Sequence, residues 1–239
     1  MIAKFNLYDF ISNLIPGVLV LWCVQRMGSA TGWHFPFEFS GGLPETSLLI
    51  VLGYVSGLML QAVAERFTQR IILLPLWGGF PSARYLLPDD GRLSKSYKDQ
   101  IRVLITERFK VSTDPDLPDN CSPDEKRRLC LVKNEELFAL CYEYVDSLSG
   151  RPLSFTAQYG MFRGLLTAFL LLALWSMLLF FRSPPSPQGS PGSFLLLAAF
   201  YAVLAWLCYV RCKRRSEDFA RTVYALFVSS PARKQSKDC

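Results

Sequence analysis

Two uncharged apolar stretches constrain this chain more than anything else in it. They read GLLTAFLLLALWSMLLFF (164–181) and SFLLLAAFYAVLAWLCYV (193–210). A helix that crosses a bilayer needs about 20 apolar residues, with a range of about 17–25. Inside lipid the backbone must satisfy its own hydrogen bonds, so each stretch predicts a helix. Two further runs follow the same pattern. Ser47–Val63 reads SLLIVLGYVSGLMLQAV, and Phe10–Gln25 holds a less regular one. The first run opens on YDFISNLIPG, which places Asp9 and Asn13 at its start and Pro16-Gly17 a turn further in. A charge and a helix breaker are both costly in hydrocarbon. The segment carries only Lys4 ahead of it and no A-x-A-like cleavage site, so it predicts a retained span and not a signal peptide.

The distribution of Lys and Arg predicts orientation. Residues 27–46 and 183–192 contain neither Lys nor Arg, whereas residues 65–157 hold fourteen and the tail begins RCKRR (211–215). The N-terminus, the middle segment and the tail are therefore expected in the cytosol, and both short connections outside. The expected fold is all-α. It is a polytopic membrane protein with four transmembrane helices and a helical cytosolic insert between spans two and three. Residues 1–64 form one transmembrane hairpin, 65–157 the insert, 158–211 a second hairpin and 212–239 a basic cytosolic tail. The insert balances its basic residues with fourteen acidic ones, while residues 211–239 hold eight basic and three acidic residues. That excess fits anionic lipid headgroups first and nucleic acid second.

Within the insert, Ser122-Pro123-Asp124-Glu125 is a helix start, with Ser as cap and Pro at the first helical position. The helix can run to Ser149. Leu137, Phe138, Cys141, Tyr144, Val145 and Leu148 form its apolar face. A second helix fits Lys95–Lys110, with Tyr97, Ile101, Leu104 and Ile105 inward. The stretch LLPLWGGFPSARYLLPDDGR (73–92) must turn at Gly78-Gly79 and Pro81. It reads either as an elbow held at the membrane surface by Trp77, Phe80 and Tyr85, or as a phosphate pocket served by Arg84, Arg92 and Lys95. Lys98, Arg102 and the cluster Lys126-Arg127-Arg128 extend the candidate ligand-binding set, though such a cluster is also what a solvated helix face looks like.

Span two carries Gly53 and Gly57 as G-x-x-x-G, and YGMFRG carries Gly160 and Gly164 in the same spacing. Small residues four apart let helices approach closely in lipid, either within one chain or between copies. Gln61 and Glu65 continue the glycine series of span two. With Asp9 and Asn13 they are the candidate pore-lining or gating residues, because polar groups in a membrane face the bundle interior or water. Asp9 also has a plain reading, as an acid tolerated at a helix N-terminus.

There is one histidine, His34, and none of the seven cysteines forms C-x-x-C, so no metal-binding or redox motif is present. No nucleophile elbow, Walker loop or paired carboxylate is found, and the chain reads as no enzyme and as needing no cofactor. A gated pore, a membrane anchor for a cytosolic partner and a lipid-acting enzyme or small transporter remain. The absence of an internal repeat disfavours a transporter.

YDFISNLIPG, GYVSGLMLQA, LWGGFPSARYL and YGMFRGLL together resemble a group of bacterial four-span membrane proteins from anti-phage defence loci. The nearest functional analogue is the membrane channel effector of the Hailong system. The resemblance covers roughly the first 95 residues and the opening of span three. It implies an inner-membrane homo-oligomer, a tetramer by analogy, that conducts ions. It also implies control by an oligonucleotide from a partner nucleotidyltransferase, depolarisation of the infected cell and growth arrest.

Overall fold

The computed structural model describes residues 7–30, 42–118, 120–146, 151–182 and 191–230, without the side chains at 8, 9, 26, 27, 29, 30, 43, 44, 151–154 and 191. The roles expected of the Asp9 side chain, His34, Leu148, residues 231–239 and most of both short connections fall outside the described residues. Every regular element described is helical. The order is α1 (Leu7–Ala30), α2 (Leu43–Val63), a π-helical segment (Ala64–Leu73), α3 (Leu74–Trp77), α4 (Pro81–Arg84), α5 (Lys95–Phe109), α6 (Pro123–Asp146), α7 (Arg151–Arg182) and α8 (Pro191–Ser229).

Three helical stretches are long and apolar enough to cross a membrane: Glu45–Arg84, Phe155–Arg182 and Gly192–Ser229. Phe10–Gln25 is a shorter apolar helix. The three long stretches expose large side chains that water does not favour, among them Val51 and Met59, Leu174 and Phe181, and Leu196 and Trp206. Apolar surface of this extent is what lipid covers.

The chain divides into two compact units. The first comprises Met1–Leu73 with Ala157–Arg214, and the second Leu74–Thr156 with Arg215–Cys239.

In the first unit α1 and α2 pack backbone to backbone. A Cβ on Gly17 would lie 1.8 Å from the Gly53 carbonyl oxygen and 2.5 Å from the Gly57 nitrogen. A Cβ on Gly57 would lie 2.0 Å from the Asn13 carbonyl oxygen. No L-residue with a side chain fits at either place. Pro16 is fully buried, and its ring lies 3.3 Å from where a Cβ on Gly164 of α7 would stand. The helix breaker and the glycine after it are therefore contact residues for two different helices. Phe10 stacks on Tyr54 with ring centroids 5.1 Å apart. The Tyr201 hydroxyl of α8 donates to Cys23 Sγ at 3.7 Å. The G-x-x-x-G of span two is thus used inside the chain.

The second unit is built on an aromatic core. Tyr85, Ile101, Ile105, Leu137, Phe138, Cys141 and Val145 pack with Ala220, Val223, Tyr224 and Phe227. The α5 helix starts where Ser94 Oγ accepts from the Tyr97 amide at 3.3 Å. It ends at Lys110, in the left-handed region with φ 58°. Ser122 Oγ accepts from the Glu125 amide at 3.3 Å, as the capping pattern predicts.

Two expectations change here. Residues 212–229 are not a tail: α8 is helical to Ser229, and its last turns supply core residues. The stretch SEDFARTVYALFV carries Phe219, Ala220, Val223, Tyr224 and Phe227 at helical spacing beneath its charges. Two of the three elbow aromatics are not placed as membrane anchors either. Trp77 is 2% exposed and Tyr85 0%, so both rings serve the protein interior. The turn itself is as expected, with positive φ at Gly78 (64°) and Gly79 (109°).

Replacing Gly17 by Val should force α1 and α2 apart and cost at least the ~1–3 kcal/mol typical of overpacking. Gly91, around which a Cβ meets nothing within 4 Å, is the matched control. Gly91→Ala should leave the thermal melt of detergent-solubilised protein within about 0.5 kcal/mol of the parent, while Gly17→Val lowers it clearly.

Candidate functional site

The first unit contains a polar cluster between helices that are otherwise apolar. Its centre is Arg163 of α7. The guanidinium donates through Nη2 to Gln61 Oε1 at 3.0 Å and through Nη1 to Gln69 Oε1. It lies 5.6 Å from the centroid of the Tyr159 ring. The Tyr159 hydroxyl also donates to Gln69 Oε1, at 3.4 Å. Gln61 Nε2 donates to the Gly160 carbonyl at 2.8 Å. One turn along, the hydroxyls of Thr68 and Thr167 are 2.7 Å apart, and Thr167 donates to the Arg163 carbonyl at 2.9 Å. Among the described residues no carboxylate pairs with Arg163. Its charge is met by amide oxygens and an aromatic face, a weaker compensation than an acid gives.

The π-helical segment makes this cluster possible. Gln61 and Gln69 are eight residues apart, about 2.2 turns of an α-helix, so an unbroken α-helix would point them in different directions. A π-turn takes one more residue than an α-turn. With the wider turns, both amides reach the same guanidinium, and Ala64, Thr68 and Leu73 become the buried positions. Glu65, the second residue of the segment, is exposed. The series expected from Gly53 through Gln61 to Glu65 therefore breaks at Gln61.

The structure treats the candidate gating residues differently from one another. Gln61 is in the cluster. Asn13 is half-buried, and its carbonyl meets Gly57. Glu65 is exposed. Asp9 belongs to α1, and continuing the antiparallel register of Asn13–Gly57 and Gly17–Gly53 by one turn brings position 9 level with Gln61. Gly164 is needed for space, since a Cβ there would come 3.0 Å from Gln61 Nε2. Gly160 is not, because its nearest neighbour would be at 3.8 Å. Gln69, Thr68 and Thr167 were missed by the sequence reading. In the sequence Arg163 is visible only as the charge inside YGMFRG, and nothing local names its partners.

In the second unit, most of the candidate ligand-binding cations are occupied. Lys98 is 5% exposed. Its ammonium donates to the Leu87 carbonyl at 2.6 Å and to the Asp90 carbonyl. Arg102 Nη2 donates to the Leu86 carbonyl at 3.0 Å. Arg84 donates to the Trp77 carbonyl and lies 3.8 Å from the Asp90 carboxylate. Arg92 lies 3.8 Å from Asp90 and 3.1 Å from Glu217. These four cations clamp the turn 84–92 by its carbonyls and its buried acid. Arg127 pairs with Asp89 at 2.6 Å on the surface, and this hydrogen bond holds the Asp89 carboxyl below its ordinary value. Lys95, Lys126 and Arg128 are exposed. The eight cations form no single pocket. Among the described residues no group of three or more His, Cys, Asp or Glu could hold a metal.

Removing the clamp should loosen the second unit. Lys98→Met leaves two buried carbonyls without their donor and should cost about 1–3 kcal/mol. Cys141 reports it: the thiol is fully buried, and burial pushes its pKa from 9.0 up to about 12. Pulsed alkylation read on the Cys141 peptide should be slow in the parent at neutral pH and faster in Lys98→Met. The raised pKa also has a sign for stability. Below pH 9 the contribution is fully present, and it is lost as pH rises toward about 12. Cys141→Ala should therefore flatten the alkaline limb of the unfolding curve.

No family model, curated protein or solved structure matches this chain.

Proposed function

We propose that this protein is a four-span bacterial inner-membrane effector with its N- and C-termini in the cytosol, and that copies of it assemble into an ion-conducting pore. The observation that carries this reading is the Gln61–Arg163–Gln69 cluster. Polar and charged groups among membrane helices are costly, and they mark ion or substrate pathways. The cluster joins three segments of the chain through side-chain hydrogen bonds that can be exchanged for water when helices shift. It therefore suits a gate at the cytosolic end of the spans. The sequence resemblance to anti-phage defence proteins supplies the context. An oligonucleotide or nucleotide signal acts on the cytosolic side, the pore opens, and the cell depolarises and stops growing. The Gly53–Gly57 pair is spent on α1, so the contacts between copies fall to the exposed apolar faces of α2, α7 and α8.

A second reading has a specific observation behind it. Arg84, Arg92, Lys98 and Arg102 are all engaged inside the second unit. A surface without free converging cations suits a protein partner better than a phosphate-rich ligand. In that reading the chain is a membrane anchor or scaffold and conducts nothing.

Flux from proteoliposomes separates the two. Purified protein should release trapped ions when a cyclic or linear oligonucleotide of the right class is added. Arg163→Gln or Asn13→Ala should change the rate or the ion selectivity while leaving insertion intact. No flux under any condition, together with a stable monomer in detergent, would retire the pore and leave the anchor.

A further inference from the structure

Four arginines of the first unit are used by nothing so far described. Arg66 and Arg70 lie on the π-helical segment, and Arg211 and Arg214 on α8, and all four are exposed. None makes a hydrogen bond, ion pair or ring contact among the described residues. Their level in the bundle is fixed by groups already placed. Gln69 bonds to Arg163, which ties the π-helical segment to α7. Cys212 of α8 lies within electrostatic range of both Tyr159 and Arg163. Residues 66–70, 159–163 and 211–214 therefore share one layer. Directly before that layer on each helix the exposed surface is apolar: Met59 and Val63 on α2, Trp206, Leu207 and Val210 on α8. Two helices that run in the same direction thus change from apolar to basic at the same height.

The π-helical segment adds a finer pattern. Arg66 and Arg70 are four residues apart, and so are Phe67 and Ile71 beside them. Phe67 is 57% exposed and Ile71 63%. A basic stripe runs next to an apolar one along a single turn. A free phosphate uses only the first stripe. A glycerophospholipid uses both, with its phosphodiester on the guanidiniums and its acyl chain along Phe67 and Ile71.

We propose that Arg66, Arg70, Arg211 and Arg214 form a belt that binds anionic phospholipid headgroups at the cytosolic membrane boundary, with Arg66–Phe67–Arg70–Ile71 as its tightest site. The occupant is a lipid of net negative charge, such as phosphatidylglycerol. The charge argues for it, since the belt offers four cations against Glu65 beside the π-helical pair and Asp218 one turn after Arg214, the latter already 3.9 Å from Arg215. The proposal rests on the membrane-spanning reading but not on ion conduction.

Native mass spectrometry of the full-length protein, offered equimolar phosphatidylglycerol and phosphatidylcholine, tests it. Phosphatidylglycerol adducts should dominate. The preference should fall several-fold in Arg66→Gln/Arg70→Gln, and disappear when Arg211→Gln/Arg214→Gln are added. Arg127→Gln/Arg128→Gln, which removes two charges from the second unit, should keep it, and melting of each variant in neutral detergent shows that it is folded. Equal retention of both lipids by the parent would overturn the belt. So would an equal loss in the Arg127/Arg128 variant, or displacement of phosphatidylglycerol by soluble glycerol phosphate at the same concentration. Carbonate extraction of expressing membranes isolates the underlying premise. Release of the protein overturns the spans and the belt together, whereas retention with no lipid preference overturns the belt alone.

Discussion

The contact between Gly17 and the Gly53–Gly57 pair determines how the first unit is assembled. In lipid there is no hydrophobic drive to bring helices together, so close backbone approach and interhelical hydrogen bonds must do it. At 1.8 Å between a notional Cβ and a carbonyl oxygen, this approach admits glycine alone. It pins α1 antiparallel to α2 in one register. That register puts the Pro16 ring where Gly164 leaves room, and so docks α7 against the pair. Once α7 is docked, Gln61 meets the Gly160 carbonyl and Arg163. The polar cluster thus depends on four glycines and a proline. A residue that looks like a defect in α1 is the one that locates the site.

The second constraint is the change of helical pitch after Val63. An α-helical continuation from Ala64 would bury positions near 68 and 71 and turn Gln69 and Leu73 away. The π-helical turns keep Thr68 buried, bury Leu73 as well and bring Gln69 to Arg163. They also send Arg66, Phe67, Arg70 and Ile71 outward together. One irregularity therefore does two things: it closes the internal cluster and it sets out the basic-apolar stripes on the surface. Long π-helical runs are rare and concentrate where function demands them. The energy that holds this one is visible in the two hydroxyls at 2.7 Å and the shared guanidinium.

The parts of the fold that were legible in the sequence are those set by local pattern. Uncharged runs announced the long helices, Ser122-Pro123 announced α6, and Gly78-Gly79 announced the turn. Ile101, Ile105, Leu137 and Cys141 were readable as inward because helical periodicity is a property of one segment. What was not legible depends on partners distant in sequence. Gly17 is one glycine among fifteen until Gly53 is placed against it. The pitch change at Ala64 has no composition signal, since it is selected by Arg163 and Thr167, about a hundred residues away. The end of α8 was hidden differently: RCKRR drew attention to charge, and the apolar spacing of Phe219 to Phe227 lay beneath it. Trp77 and Tyr85 were misplaced because an aromatic near a span looks the same whether lipid or protein covers it.

The second unit changes how its basic residues are to be counted. Arginine and lysine side chains suggest an anionic ligand only while their donors are free. Here Lys98, Arg102 and Arg84 give theirs to main-chain carbonyls of the 77–90 region. Arg108 closes the C-terminus of α8 by donating to the carbonyls of Phe227 at 2.9 Å and Ser230 at 2.7 Å, while its guanidinium lies 4.7 Å from the Phe227 ring centroid. A cation at a helix C-terminus is favoured by the aligned carbonyl dipoles. Each of these side chains works as a structural donor with a long reach, where a backbone amide is not available. A phosphate-bearing ligand that recruited them would first have to open the turn 84–92 and expose Asp90. Ligand binding at that place would therefore be coupled to rearrangement of the turn.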